Sequence, residues 1–138
     1  MSKILAIDYG SKRVGVAITD SLKIIATGLS TVPTNNIYYF LEDIIQKEKI
    51  SHIVIGLPKN LDNSNTDSTY EISVFINKLK QLYSNIVVES IDERFTSSMA
   101  KKTILSSGVN KKRRRDKALV DQVSATIILQ SYLQKLSN

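Results

Sequence analysis

The sequence predicts an α/β fold built on a mixed five-stranded sheet. Three apolar, strand-like segments follow one another in the first quarter of the chain, with no helical pattern between them. After them, segments with helical periodicity alternate with short β-like runs. Strands joined by short turns pair antiparallel, whereas strands separated by helices can pair in parallel. We therefore expect a three-strand antiparallel meander followed by βα units, with helices flanking the sheet.

The meander is predicted from three apolar runs separated by turn residues. Residues Lys3 to Asp8 form the first strand and residues Arg13 to Thr19 the second. The turn between them contains Gly10, which is free to adopt a positive φ in a hairpin. The third strand is predicted from Ile24 to Val32, before Pro33.

The rest of the chain alternates between helical and extended patterns. The first helix has one apolar face, made by Ile37, Phe40, Leu41, Ile44 and Ile45. The fourth strand, His52 to Ile55, stops at Gly56-Leu57-Pro58, and a polar loop follows from Lys59 to Ser68. The next helix again has an apolar side, made by Ile72, Phe75, Ile76, Leu79, Leu82 and Tyr83.

A fifth strand and two more helices complete the predicted order. The strand extends from Ile86 to Ile91. A short helix is predicted from Thr96, a candidate N-cap, through Leu105, and it ends near Gly108. The last helix extends from Ala118 to Leu136.

Length and composition restrict the class of protein. The 138 residues suit one domain spanning 1–138, and 42% hydrophobic residues are enough for a core. The absence of cysteine excludes disulfides, thiolate metal sites and cysteine nucleophiles, and it fits a reducing cytoplasm. We expect no membrane span, because no apolar run is long enough, and no signal peptide.

The net charge of +6 is concentrated in one basic segment, and the rest of the chain is nearly neutral. Its cations surround a single acid, Asp116, and are Lys111, Lys112, Arg113, Arg114, Arg115 and Lys117. Such a cluster can bind a phosphate backbone through counterion release. It is equally compatible with a solvated loop that only aids solubility.

Three acids far apart in sequence stand where apolar elements end or begin. Asp8 and Glu93 follow predicted strands, and Asp121 lies near the start of the last helix. In open α/β sheets, ligands bind beyond the carboxyl ends of the strands. Converging carboxylates are the hard oxygen ligands that Mg²⁺ or Mn²⁺ requires. The pattern therefore predicts a divalent-metal site and suggests cleavage of a nucleic-acid backbone.

Each of these acids also has a structural explanation. Asp8 could cap a turn, and Asp121 could be an N-terminal acid favoured by the helix dipole. Asp121 shares an apolar stripe with Ala125 and Ile128, so a metal or a basic partner must offset the cost of burying its charge. Asp92 and Glu93 point to opposite faces of a regular strand, so only one of them can enter the site.

Several other polar residues have ambiguous roles. Lys12 and Arg13 follow the first acid, and Arg94 follows Glu93; each could contact a phosphate or remain a surface charge. His52 is the only histidine, which excludes a His-based zinc site, and its apolar strand favours a structural role. Tyr9 could stack on a base, although packing is the simpler explanation.

The motifs together resemble the YqgF family, also called RuvX-like, of the ribonuclease H superfamily. The resemblance covers residues 3 to about 134 and is carried by Asp8 to Ala17, Asp20, Gly56-Leu57-Pro58, Asp92 to Thr96, Val120-Asp121 and Ile128 to Leu133. It implies a ribonuclease H-like fold, a cytoplasmic protein and a metal-dependent nuclease that matures the 5′ end of pre-16S rRNA. It also favours Glu93 over Asp92 as the site acid. Ser124 departs from the family pattern, which has a small apolar residue there.

The resemblance leaves several possibilities open. Holliday-junction resolvases share the fold, so branched DNA is an alternative substrate to RNA. A structure-specific nucleic-acid-binding protein without catalysis would need only the basic segment. A phosphotransferase of the actin and hexokinase type also carries an acid and a glycine in its first hairpin, but it needs two such domains to enclose ATP.

Overall fold

The fold is a single five-stranded mixed sheet with helices on both faces. A computed structural model describes residues 2–58, 67–93 and 117–137. The strands are β1 (Lys3–Tyr9), β2 (Arg13–Thr19), β3 (Ala26–Pro33), β4 (Ile50–Pro58) and β5 (Val87–Glu93). Their spatial order is β3-β2-β1-β4-β5, with β1, β2 and β3 antiparallel and β1, β4 and β5 parallel. The meander and the parallel βα units predicted from the sequence are both confirmed.

Three described helices accompany the sheet. They are α1 (Ile37–Lys47), α2 (Asp67–Leu82) and α3 (Lys117–Ser137), and a 3-10 turn (Thr34–Asn36) precedes α1. The helices match the periodic segments of the sequence, although α3 begins one residue before the predicted start. Helix α2 begins at Asp67, so it includes the last two residues of the loop predicted from Lys59 to Ser68. The rest of that loop and the predicted short helix Thr96 to Leu105 lie outside the described residues. None of the described helices has the length and apolar character needed to cross a membrane.

The core consists of two layers, one on each face of the sheet. Helices α1 and α2 cover the first face, where large aliphatic residues surround Phe75. Helix α3 covers the second face. The smaller cluster between this helix and the sheet consists of Ile4, Ala6, Ala17, Val54, Ala125, Ile128, Leu129 and Tyr132. Alternation along each strand assigns its residues to one face or the other.

Small residues on the second face allow α3 to lie close to the sheet. Gly15 and Ala17 of β2 are buried there, and Gly28 of β3 approaches Gln122 and Thr126 of the helix. A bulge at Leu29 shifts the β2–β3 register, so that Gly15 pairs with Thr31 and Ala17 pairs with Gly28. Thr31 Oγ1 donates a 2.6 Å hydrogen bond to the carbonyl oxygen of Ala118, which ties the first turn of α3 to β3.

The boundaries of three strands differ from the sequence prediction. Strand β4 covers Ile50–Pro58 rather than His52 to Ile55, and β5 covers Val87–Glu93 rather than Ile86 to Ile91. Strand β3 begins at Ala26 rather than Ile24, because Asp20 Oδ1 accepts hydrogen bonds from the N–H groups of Ile24 (2.8 Å) and Ile25 (3.0 Å). These bonds hold the two residues in a turn instead of the ladder.

Gly10 also has a different role in the turn from the one that the sequence suggested. Its φ lies outside the left-handed region. A Cβ atom added at Gly10 would lie 2.6 Å from the carbonyl oxygen of Arg13. The β1–β2 turn therefore requires glycine for space rather than for a left-handed conformation.

Candidate functional site

Asp8 lies near the carboxyl end of β1, on the face covered by α3. Ile4 and Ala6 belong to the α3 cluster, and strand alternation assigns Asp8 to the same face. The side chain is half-buried. In the antiparallel ladder, Asp8 pairs with Gly15 of β2.

Gly15 is the point at which α3 touches the sheet. A Cβ atom built on Gly15 would overlap the backbone of Asp121 and lie 3.2 Å from its Cα atom. Cross-strand neighbours have Cβ atoms about 5 Å apart, so Asp8 Cβ lies within about 9 Å of Asp121 Cα. The two acids, 113 positions apart in sequence, therefore meet over one glycine on the same face of the sheet.

Asp121 forms an ion pair with Arg13. The Arg13 Nε–H donates a 2.8 Å hydrogen bond to Asp121 Oδ2, and the two side chains are 38% and 21% exposed. A hydrogen bond between opposite charges offsets the cost of partial burial. Of the two alternatives that the sequence left open for Asp121, the structure shows the basic partner. The helix-dipole explanation does not apply, because the first turn of α3 contains no acid and Asp121 lies beyond it.

The third acid lies at the end of β5. The parallel register pairs Leu57 with Asp92 and Pro58 with Glu93, so β5 ends at the same edge of the sheet as β1. Asp92 is exposed. The backbone of Glu93 belongs to β5, but its side chain lies outside the described part of the structure.

Gly56 of β4 lies between β1 and β5 on the α3 face. Val54 belongs to the α3 cluster, and alternation assigns Gly56 to the same face. Because the axes of β1 and β5 are about 10 Å apart, any side chain at this position would stand between Asp8 and β5. The lack of a side chain at Gly56 leaves that face of the strand open.

The structure places the other predicted residues as follows. Lys12 is exposed in the β1–β2 turn next to Arg13, and Lys117 is exposed at the start of α3. The remaining predicted nucleic-acid-binding residues, Arg94, Lys111, Lys112, Arg113, Arg114 and Arg115, lie outside the described residues. Across 2–58, 67–93 and 117–137, no group of three or more His, Cys, Asp or Glu residues could hold a metal ion.

Tyr9 and His52 do not contribute to this region. Tyr9 packs on the opposite face, with its ring 4.7 Å from that of Phe75, and burial raises its pKa. His52 pairs with Ile4 and Val87, near the amino ends of the parallel strands, and its Nδ1 lies 2.7 Å from Ser51 Oγ. Both residues have the structural roles that the sequence favoured.

The sequence reasoning missed the role of Gly15. The available signal was a glycine inside an otherwise β-branched and apolar strand, Val14-Gly15-Val16-Ala17. Such a glycine often marks a place where another backbone approaches closely. Here the approaching backbone carries one of the candidate acids.

The sheet order and the placement of the helices define a ribonuclease H-like fold. Two solved structures of RuvC from Thermus thermophilus share it. The one in complex with a Holliday junction substrate has a TM-score of 0.59 at 12% identity, covering 99% of this chain and 96% of that chain. The second structure has a TM-score of 0.54 at 11% identity, covering 98% of this chain and 96% of that chain. At this level of identity the likeness concerns the fold alone.

The chain belongs to the RuvX family, whose profile is described as Holliday junction resolvase and matches residues 2–135. A relative from Porphyromonas gingivalis is 53% identical over 133 residues, which cover 96% of each chain. A relative from Bacteroides thetaiotaomicron is 48% identical over 134 residues, which cover 97% of each chain. Both relatives bear the name "Putative pre-16S rRNA nuclease".

Proposed function

We propose that this protein is a divalent-metal-dependent nuclease that processes the 5′ end of pre-16S rRNA. The observation that carries the proposal is the meeting of Asp8 and Asp121 on one face of the sheet, across Gly15. The RuvX family assignment and the names of the relatives support a nuclease. A substrate that is a ribosomal RNA precursor implies that the protein acts in the cytoplasm.

The donor atoms suit Mg²⁺ or Mn²⁺. Carboxylate oxygens are hard ligands, and the described part of the chain places two carboxylates, those of Asp8 and Asp121, on the same face. The ion pair between Asp121 and the Arg13 guanidinium supports a site for positive charge at this position. Asp8, Asp121 and Glu93 are the proposed ligands, and alternation along β5 favours Glu93 over Asp92 for the α3 face.

Different parts of the fold hold the proposed ligands in position. Strand β1 fixes Asp8, and the contact with Gly15 fixes the backbone of Asp121. When bound, divalent cations would supply a Lewis acid and an activated water for hydrolysis of a phosphodiester. The side chains would orient the scissile phosphate against the sheet edge.

The basic segment is the proposed guide for the nucleic acid. It immediately precedes α3, the helix that carries Asp121, and Lys117 is exposed where that helix begins. Phosphate contacts from this segment would hold a strand close to the acids without reading its sequence. Lys12, Arg13 and Arg94 are proposed as further phosphate contacts.

A resolvase acting on branched DNA is the second candidate. The description of the RuvX family and the Holliday junction in the RuvC complex favour it. The same acids would serve either substrate, because both reactions hydrolyse a phosphodiester. A binding protein without catalysis would need the basic segment but not the acids.

Parallel cleavage assays test the proposal. A pre-16S rRNA leader, a four-way DNA junction and single-stranded RNA are incubated with Mg²⁺, Mn²⁺ or EDTA. We expect the leader to be cut only with a divalent ion, and Asp8→Asn or Asp121→Asn to lower the rate by at least about 100-fold, since even outer partners of metal ligands matter 10- to 100-fold.

The control is Asp43→Asn, which removes the same charge from an exposed acid that pairs with Lys47 on α1. It should cut at the wild-type rate. Faster cutting of the junction than of the leader would favour the resolvase. Unchanged cleavage by Asp8→Asn and Asp121→Asn would refute a catalytic role for these acids, and binding without cleavage by the wild type would favour the non-catalytic protein.

A further inference from the structure

The ion pair between Arg13 and Asp121 has one fixed member and one movable member. The backbone of Asp121 rests on Gly15, and α3 is further tied to β3 through Thr31 and Ala118. The backbone of Asp121 therefore cannot move without a shift of the helix, and its short side chain keeps the carboxylate close to that backbone. The Arg13 side chain is long, and 38% of it is exposed at the start of β2. The guanidinium can therefore move much farther from the pair than the carboxylate can.

The pair also joins two residues whose proposed partners differ. Asp121 is a proposed ligand for a divalent cation, and Arg13 is a proposed contact for a phosphate. The hydrogen bond to Asp121 uses the Nε–H, one of the five N–H donors of a guanidinium. Those donors form a planar fork that matches phosphate geometry. A divalent cation bound at Asp121 and the Arg13 guanidinium would repel each other at this short distance, so the two positive groups compete for the carboxylate.

We propose that Arg13 is a positioning residue that exchanges partners: it holds Asp121 in the cation-free protein and moves to a phosphate oxygen of the nucleic acid when a divalent cation takes the carboxylate. This inference rests on the proposed function and deepens it. The exchange keeps Asp121 in place before the cation arrives. It also makes cation binding and nucleic-acid binding favour each other, because each removes a competitor of the other.

The size of the competition follows from the exposure of the pair. Pairs of exposed charges contribute little to stability, whereas hydrogen bonds to buried charged groups contribute considerably more. With one member 38% exposed and the other 21% exposed, the pair lies between these cases. Removing the guanidinium should therefore tighten divalent-cation binding by about two- to tenfold.

Calorimetric titration of Mn²⁺ into the full chain, without nucleic acid, tests this effect. Arg13→Gln should bind Mn²⁺ about two- to tenfold more tightly than the wild type, and Arg13→Lys should fall between them. The matched control is Lys12→Gln, which removes a neighbouring exposed charge and should change the affinity by less than about twofold. If Arg13→Gln binds Mn²⁺ as tightly as the wild type or more weakly, the exchange is overturned and Arg13 has only a structural role.

Nuclear magnetic resonance of the arginine Nε–H groups provides a direct readout that needs no folded Gln variant. Arg13→Lys identifies the Arg13 signal by its loss. We expect Mg²⁺ to shift this signal of the wild type from a hydrogen-bonded to a solvent-exposed position. A signal unchanged at saturating Mg²⁺ would overturn the exchange. If Asp8→Asn and Asp121→Asn still abolish cleavage in that case, the proposed function stands without the exchange. If the two variants cleave like the wild type, the proposed function itself is refuted.

Discussion

Gly15 couples the sheet to the helix at the scale of a single residue. Its missing side chain lets the backbone of Asp121 lie against β2, beside the strand position of Asp8. A helix that approaches this closely needs a sheet surface of glycine and alanine, which β1 and β2 supply with Ala6, Gly15 and Ala17. The distance between the two acids therefore depends on a residue with no chemistry of its own.

Gly15→Ala is expected to destabilise the protein by about 2–3 kcal/mol, because the new methyl group collides with backbone that cannot rotate away. The relief of this overlap moves α3 off the sheet, so cleavage should fall as well. Urea unfolding midpoints and the leader cleavage assay measure the two effects.

Gly28→Ala is the matched control for that change. Its new Cβ would lie 3.4–3.5 Å from side-chain atoms of Thr126 and Gln122, which is close to ordinary van der Waals contact. Stability should change by less than about 1 kcal/mol, since glycine is itself costly within a strand. Equal losses at the two positions would contradict the special contact at Gly15.

Asp20 gives stability a dependence on pH. The N–H groups of Ile25 and Ile24 donate to its carboxylate and lower its pKa in the folded protein. Because the folded pKa lies below the unfolded value of about 3.9, the stabilisation is complete above that pH and disappears as the pH falls through the folded pKa. Asp20→Asn should therefore be less stable than the wild type at pH 7, and the difference should shrink towards pH 2. Thermal unfolding at several pH values measures it, and a constant difference would contradict this account.

At the scale of the element, α3 is the helix on which the site depends. Its buried face contains Ser124, whose Oγ has no hydrogen-bond partner among the residues that the structure describes. Thr126, two positions later, donates a 2.9 Å hydrogen bond from Oγ1 to the carbonyl oxygen of Gln122. The two hydroxyl groups differ mainly in whether they have a partner.

Ser124→Ala should raise the free energy of unfolding by about 1 kcal/mol, because a buried hydroxyl without a partner is costly and alanine favours the helix. Thr126→Val keeps the shape and loses a satisfied hydrogen bond, so it should be neutral or lower stability by up to about 1 kcal/mol. Chemical denaturation of both variants provides the comparison. Destabilisation by Ser124→Ala would show that the hydroxyl has a partner elsewhere in the chain.

Local sequence patterns predicted the elements well where periodicity dominates. The helical spacing of apolar residues located α1 and α2, and the apolar runs located β1 and β2. The predicted start of β3 was wrong because the Asp20 carboxylate accepts a hydrogen bond from the Ile24 N–H, which competes with the sheet ladder. The apolar side chain of Ile24 gives no sign of this bond. Strand β5 extends to Glu93 because β4 continues to Pro58 beside it, a pairing that no local pattern encodes.

Less of the candidate site than of the fold could be predicted from the sequence. Alternation was enough to place Asp8 with Ile4 and Ala6. The partner of Asp121 was not predictable, because Arg13 lies 108 residues away and the pairing depends on how α3 crosses the sheet. The choice of Glu93, the metal and the basic segment remain predictions.

At the scale of the whole molecule, the separation of charge into one segment should govern binding. Changing Arg113, Arg114 and Arg115 together to Ser should weaken binding to single-stranded RNA regardless of sequence. Each lost phosphate contact should reduce the slope of log affinity against log salt by about 0.7. Titrations at several salt concentrations measure the slope, with Lys49→Ser, an exposed cation far along the sequence, as the control.

A triple variant with wild-type affinity and wild-type salt slope would show that the segment only aids solubility. Its thermal stabilisation by Mn²⁺ should equal that of the wild type, since none of the three residues is a proposed ligand.

The contact between Arg13 and Asp121 also determines when the pair of acids can exist. The antiparallel hairpin that carries Asp8 and Arg13 joins strands that are adjacent in the sequence, so it can form without the rest of the sheet. Asp121 joins it only by closing a loop of 108 residues, after β4 and β5 have extended the sheet. A chain still emerging from the ribosome therefore carries Asp8 without Asp121, and the two acids come together only when α3 docks on the completed sheet.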